Sequence, residues 1–415
     1  MFDAIPQRAA VVARAPDSYV PVLLGELARD RNVLFIAEDD QAMRRLEAAC
    51  RFFAPSLTVL AFPAWDCLPY DRASPHSDIM AARLGVLHEL AGHEAQSGLL
   101  LLTTVAAMLQ RVPPPEWIRT AALSIRPGMT VPPERLRQTL IAQGYRETAV
   151  VNEPGDFAQR GGIIDFFAPG KTLPVRLDYF GDDIESLRAF DPSTQRSQDP
   201  QEDVLILPAS ELEFNAETIA SFRTQYRALF GTVDDDPLYE AISAGRRFAG
   251  MEHWLPLFRS DLTHLGAYLP QAVLAFGHHA EQAMKNRHET IQDFYRAREE
   301  LRVSAKELNA PPYRPLPPER LYLTDKEYQT LVQARQSFTF HPAAVAAEPV
   351  IDAGAAYGED FAPVRHTPDL HLYEEAVRRI RARIGEGIRV LLTASSFGAV
   401  ERLGQLLKEH GLDTQ

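Results

Sequence analysis

The sequence predicts an α/β protein with several cores: a parallel-sheet domain, a small, mainly antiparallel α+β module, a mixed helical domain and a C-terminal α/β domain. Three observations predict it. Short apolar runs alternate with helical stretches over residues 1–120, the pattern of a parallel sheet covered by helices. From 121 to 207 the segments become brief, rich in Val, Ile, Phe and Tyr, and broken by Pro and Gly, which suits antiparallel strands. Alternation then resumes over 345–415, after a mixed stretch at 208–326. At roughly 100–200 residues per domain, a chain of 415 residues also exceeds one ordinary core.

Each element has a local reason. The runs VLFIA (33–37), LTVLAF (57–62) and LLLL (99–102) are too short for helices and fit strands buried on both faces. Between them, 41–52 and 79–90 carry apolar residues at helical spacing. Pro113-Pro114-Pro115 ends the unit by removing backbone donors. A helix is expected at 133–143, and two strands at 163–167 and 174–180. Ala168-Pro169-Gly170-Lys171 joins those strands, with Pro then Gly suiting a type II turn. Helices follow at 216–229 and 278–308, the latter with interleaved Glu, Arg and Lys on a solvated face. Pro311, Pro312, Pro315, Pro317 and Pro318 make a stiff connector. The end reads as helix 372–384, strand 388–393 and helix 397–410, and stops where another strand is expected, as in a piece of a longer protein.

Composition narrows function. With 43 basic against 56 acidic side chains the formal charge is −13, unsuited to stand-alone binding of the DNA backbone. Lysine occurs only at Lys171, Lys285, Lys306, Lys326 and Lys408. Neither an apolar span of membrane length nor a signal-peptide pattern appears, so the expected compartment is the cytoplasm. Cys50 and Cys67 lack disulfide or zinc spacing and read as reduced residues. His88, His93, His253 and the pair His278-His279 show no metal-binding spacing on a helix. Asp234-Asp235-Asp236 reads as a solvated acidic turn beside a helix.

Gly170-Lys171-Thr172 resembles the tail of a phosphate-binding loop. The loop's first glycine position holds Asp165, whose charge repels phosphate, and Leu173-Pro174 cannot open the required helix. The loop entering the first α/β unit, around 13–25, has no lysine.

The informative stretch is 152–197. In PVRLDYF (174–180), Val175, Leu177 and Tyr179 face one side of a strand while Arg176, Asp178 and Phe180 face the other. Arginine and aromatic anchors are enriched at binding hot spots, and Arg160, just before Gly161-Gly162, joins them if its strand is adjacent. Spacing alone leaves two readings open: an exposed binding strip, or Phe180 packed under the next turn with the arginines paired to Asp178 or Asp182.

The same stretch, with PGDFAQRGGIIDFF, PVRLDYFGDDIESLRAFD and STQRS, resembles the UvrB-homology region of the bacterial transcription-repair coupling factors (Mfd). FPAWDCLPYD (62–71) with Arg83-Leu84, and LPLF (255–258) to Tyr268-Leu269-Pro270, extend the resemblance over about residues 10–345. It implies that the first domain is a degenerate helicase-like domain, 1–120 plus about 327–344, split by the inserted module at 121–207. It also implies that this module binds UvrA, with the family's contacts falling on Arg160, Arg176 and Phe180. No catalytic, cofactor or metal residue is expected. ATP and magnesium, like RNA polymerase and double-stranded DNA, would be handled by family modules that this segment lacks. Two departures separate the chain from UvrB itself: no working P-loop, and no counterpart between Tyr70 and Ala91 of the hairpin that clamps damaged DNA. The alternative is a UvrB-like, ATP-dependent subunit acting on damaged DNA.

Overall fold

The structure is a computed structural model that describes residues 9–93, 98–231, 235–308, 313–346, 349–355, 360–365 and 371–413. Two compact units divide between Gly354 and Ala355.

The first unit is built on a seven-stranded sheet, parallel throughout. From one edge its strands are Val350–Asp352, Ala9–Ala13, Ser337–Phe340, Val273–Gly277, Val33–Ala37, Leu99–Thr104 and Thr58–Phe62. Val33–Ala37 and Leu99–Thr104 are buried along their whole length, which accounts for their unbroken apolar runs. Thr58–Phe62 is the sheet's edge and is only half-buried, so the expectation of burial on both faces fails there. Helices Val20–Leu27 and Asp40–Phe53 cover one side through Leu23, Leu24, Met43 and Cys50. Helix Ser77–Gly92 covers the other through Met80, Leu84 and Leu87. The chain between Tyr70 and Ala91 consists of a short loop and most of this helix.

The stretch 208–326 differs from the separate mixed domain expected there. Its helix Ala216–Phe230 buries Phe222 and Tyr226 in the same cluster that holds Leu34 and Ile36 of the parallel sheet, and its strand Val273–Gly277 lies near the sheet's centre. The triple aspartate differs too, with Asp234 outside the described residues. Asp236 is buried, caps helix Pro237–Ser243 and accepts a 2.6 Å bond from the Tyr226 hydroxyl. A carboxylate so placed replaces water with protein donors. Of the proline connector, Pro311 and Pro312 lie outside the described residues, and Pro318–Arg320 forms a 3₁₀ turn.

The small module has its own core of Ile125, Leu136, Leu140, Phe157, Ile164, Phe166, Leu177, Ile184 and Leu187. Its six-stranded sheet runs, in order, Ser197–Pro200, Asp183–Phe190, Val175–Phe180, Ile163–Phe166, Asp156–Arg160 and Arg146–Glu147. All pairs are antiparallel except the last. Helix Pro133–Ala142 covers the core face through Leu136 and Leu140. Past this module, Glu211 returns to the first domain's helix, where Arg83 donates from Nε to its Oε1 at 2.6 Å.

In the second unit, helices Leu372–Gly385 and Phe397–Glu409 form as expected. The strand expected at 388–393 does not form: those residues have no regular structure, and Ile388, Leu391 and Leu392 are exposed. An apolar run becomes a strand only when another strand satisfies its backbone, and among the described residues of this unit none does. Val350–Asp352, expected with the C-terminal domain, instead pairs with Ala9–Ala13 in the first unit.

Candidate partner-binding face

The small sheet has two chemically distinct faces. Val175 and Leu177 point into the core, so the register sends Arg176, Asp178 and Phe180 to the opposite face, as the period of two requires. Arg160 and Phe180 each end a strand at a two-residue turn. Arg160 pairs with Ile163 across Gly161-Gly162, and Phe180 with Asp183 across Gly181-Asp182. Gly161 (φ 58°) and Gly181 (φ 63°) take the positive φ such turns need. Their two strands run in the same direction, separated by Ile163–Phe166. Arg160 stands level with Asp178 through Ile163, so Arg160 and Phe180 share one end of the sheet, about 12 Å apart at ordinary strand spacing and rise.

Their exposures differ from that of Arg176. Phe180 is 75% exposed and the Arg160 side chain 52%, so the phenylalanine does not pack under its turn. The Arg176 side chain is only 18% exposed. Its Nε and Nη2 donate to the two carboxylate oxygens of Asp165 at 2.7 and 2.9 Å, a forked geometry that fixes orientation as well as charge. The guanidinium also lies 4.9 Å from the Phe190 ring centre, within cation–π range. Hydrogen bonding to Asp165 holds the Arg176 pKa above its usual value. Arg160 approaches the same carboxylate at 3.7 Å. Asp178 accepts from Ser186 at 2.5 Å rather than from either arginine. The structure thus puts all three sequence-identified residues on one face. Two are open, while the fork of Arg176 is engaged within the module rather than free for a partner.

Sequence reasoning missed Asp165 as the hub of this face. It is 1% exposed and stands directly opposite Arg176 in the register. Alternation along 163–167 could have placed it on the Arg176 face, because Ile164 and Phe166 belong to the core. Phe190 was missed as well; with Val151, Ala158 and Phe167 it forms a small apolar cluster beneath the arginine.

The phosphate-loop lookalike is a turn between antiparallel strands. Gly170 has φ 79° and the Lys171 amide donates to the Ala168 carbonyl at 3.2 Å, the closing bond of a β-turn. The first βα loop of the parallel sheet runs from Arg14 to Tyr19 and contains neither Gly nor Lys. Burial pushes both the Cys50 and Cys67 thiols up to about 12, which keeps them unreactive near neutrality. The rings of His278 and His279 lie 3.8 Å apart between centres, tilted at 45°. Among the described residues no group of three His, Cys, Asp or Glu is placed to hold a metal ion, and no helix is long and apolar enough to cross a membrane.

Comparison with known proteins matches residues 123–212 to the UvrB interaction domain, a span that contains the whole face. The chain is 35% identical over 288 residues to the transcription-repair-coupling factor of Haemophilus influenzae, covering 69% of this chain and 24% of that protein. It is 38% identical over 244 residues to that of Escherichia coli, covering 58% and 21%, and 31% identical over 160 residues to that of Bacillus subtilis, covering 39% and 13%. The chain thus spans about a quarter of the length of the first two relatives. These matches place it in the transcription-repair-coupling factor family, as a UvrB-homology segment that carries a UvrB interaction domain.

Proposed function

We propose that this segment is an adaptor that docks the repair protein UvrA on the face carrying Arg160, Arg176 and Phe180, and so links removal of a stalled RNA polymerase to nucleotide excision repair. The observation that carries the reading is Phe180. A phenylalanine 75% exposed at the tip of an ordered hairpin adds nothing to the core, yet suits burial by a second protein. Arg160 at the same end offers charge-assisted hydrogen bonds. Arg176, locked on Asp165, contributes its fixed charge and supports the face. In this reading the segment lies in the bacterial cytoplasm and performs no ATP hydrolysis itself. The hairpin turn at Gly170-Lys171-Thr172 supports that, since a phosphate cradle needs a strand-to-helix loop. ATP, magnesium, RNA polymerase and double-stranded DNA belong to other modules of the intact protein.

Capture of purified UvrA by the Arg160→Ala/Phe180→Ala double variant tests this. Losing such an anchor typically costs about 2 kcal/mol or more of binding, at least ~30-fold in Kd. A folded double variant that captures UvrA as well as the parent chain does would reject the site.

A further inference from the structure

One cross-strand row runs through the face. Ala158 pairs with Asp165, Asp165 with Arg176, Arg176 with Arg188, and Arg188 with Pro200. Residues directly opposite one another point to the same side of a sheet, so Arg188 shares the face of Arg176. Leu187, its neighbour, faces the core opposite Leu177.

Like charges directly opposite one another are unfavourable, and here only one of the two is compensated. Arg176 is forked onto the buried Asp165. Arg188 is exposed, and among the described residues its side chain makes no hydrogen bond or ion pair. The other aspartates of the face are engaged elsewhere: Asp178 accepts from Ser186, Asp183, opposite Phe180, accepts from Thr130, and Asp156 accepts from Arg146. On this face Arg146, Arg160 and Arg176 each lie against an aspartate, whereas Arg188 stands between Arg176 and Pro200 with no carboxylate opposite it.

We infer that Arg188 is a further contact residue of this face, and that the docked partner presents a carboxylate to it. A carboxylate there would accept the fork of Arg188 and relieve its repulsion with Arg176 in the same step. Binding would therefore select a UvrA surface whose acidic side chains sit one strand spacing from the contact with Arg176 and on the same side as the pocket for Phe180. This rests on the UvrA-docking reading and adds the charge of the partner surface to it.

Titration of UvrA against the full chain, at low and at physiological salt, tests the inference. Arg188→Gln is expected to weaken binding about tenfold and to flatten its salt dependence, with Arg188→Lys in between because it keeps the charge without the fork. Arg135→Gln, which removes an equal charge from the exposed side of helix Pro133–Ala142, is expected to bind like the parent. Thermal melting confirms that each variant is folded. If Phe180→Ala loses UvrA while Arg188→Gln retains parental affinity, the role of Arg188 is overturned and the docking reading stands. If neither weakens binding, both fall. Equal weakening by Arg188→Gln and Arg135→Gln would show a general charge effect and also overturn it.

Discussion

Arg83→Ala is expected to destabilise the first unit by about 3–5 kcal/mol, the usual cost of leaving one member of a buried ion pair without the other. Both side chains of the Arg83–Glu211 pair are essentially unexposed, at 0% and 1%. Arg83 also donates to the Pro63 carbonyl at 2.8 Å and sits 4.2 Å from the Phe62 ring centre. Glu211 lies in the chain just past the small module while Arg83 belongs to the helix that covers the parallel sheet, so the pair fastens the module's exit to the first domain. A loss of this size is a large share of the ~5–15 kcal/mol that ordinarily keeps a protein folded. Urea unfolding followed by tryptophan fluorescence measures it, since Trp65 lies beside Arg83. The double variant Arg83→Met/Glu211→Leu is expected to recover most of the loss, because apolar side chains of similar volume avoid the desolvation penalty. A single variant within 1 kcal/mol of the parent by order-of-magnitude reckoning would refute the claim that this pair ties the two parts together.

Asp165→Asn is the second large expected effect, and it separates support of the face from contact with the partner. The substitution keeps shape but sets an amide against the guanidinium, leaving a largely buried Arg176 without its counter-charge. A cost of about 2–3 kcal/mol in module stability follows from breaking a charged hydrogen-bonded pair. UvrA binding is expected to fall as well, although Asp165, at 1% exposed, cannot touch a partner. Calorimetric melting together with UvrA titration at a temperature where the variant is folded reads both effects. Unchanged stability would mean that solvent, rather than Asp165, compensates Arg176.

How much of this was legible depended on whether the information was local. Val33–Ala37 and Leu99–Thr104 could be read because strands buried on both faces are written as continuous apolar runs. Ala9–Ala13, with only two branched residues, and Ser337–Phe340, half of it hydroxylated, carry no such signal, and tertiary pairing decides them. The aromatic helix Ala216–Phe230 looked like part of a separate domain because periodicity shows that a face is buried but not against what. Within the face, alternation sufficed to orient Arg176 and Phe180. The partner of Arg176 was hidden because cross-strand register is set by how the intervening loop folds. Asp165 and Arg176, eleven positions apart, meet only once the loop between Phe166 and Val175 closes. Residues 388–393 show the converse, with strand-like composition and no strand to pair with.

The most direct test of the central claim is contact itself: a photo-crosslinking side chain placed at position 180, with a second variant carrying it at Gln138 on the exposed side of helix Pro133–Ala142. Irradiation in the presence of UvrA is expected to give a covalent adduct from position 180 and none from position 138. An adduct from 138 alone, or equal yields from both, would mean that UvrA does not sit on the face bearing Arg160 and Phe180.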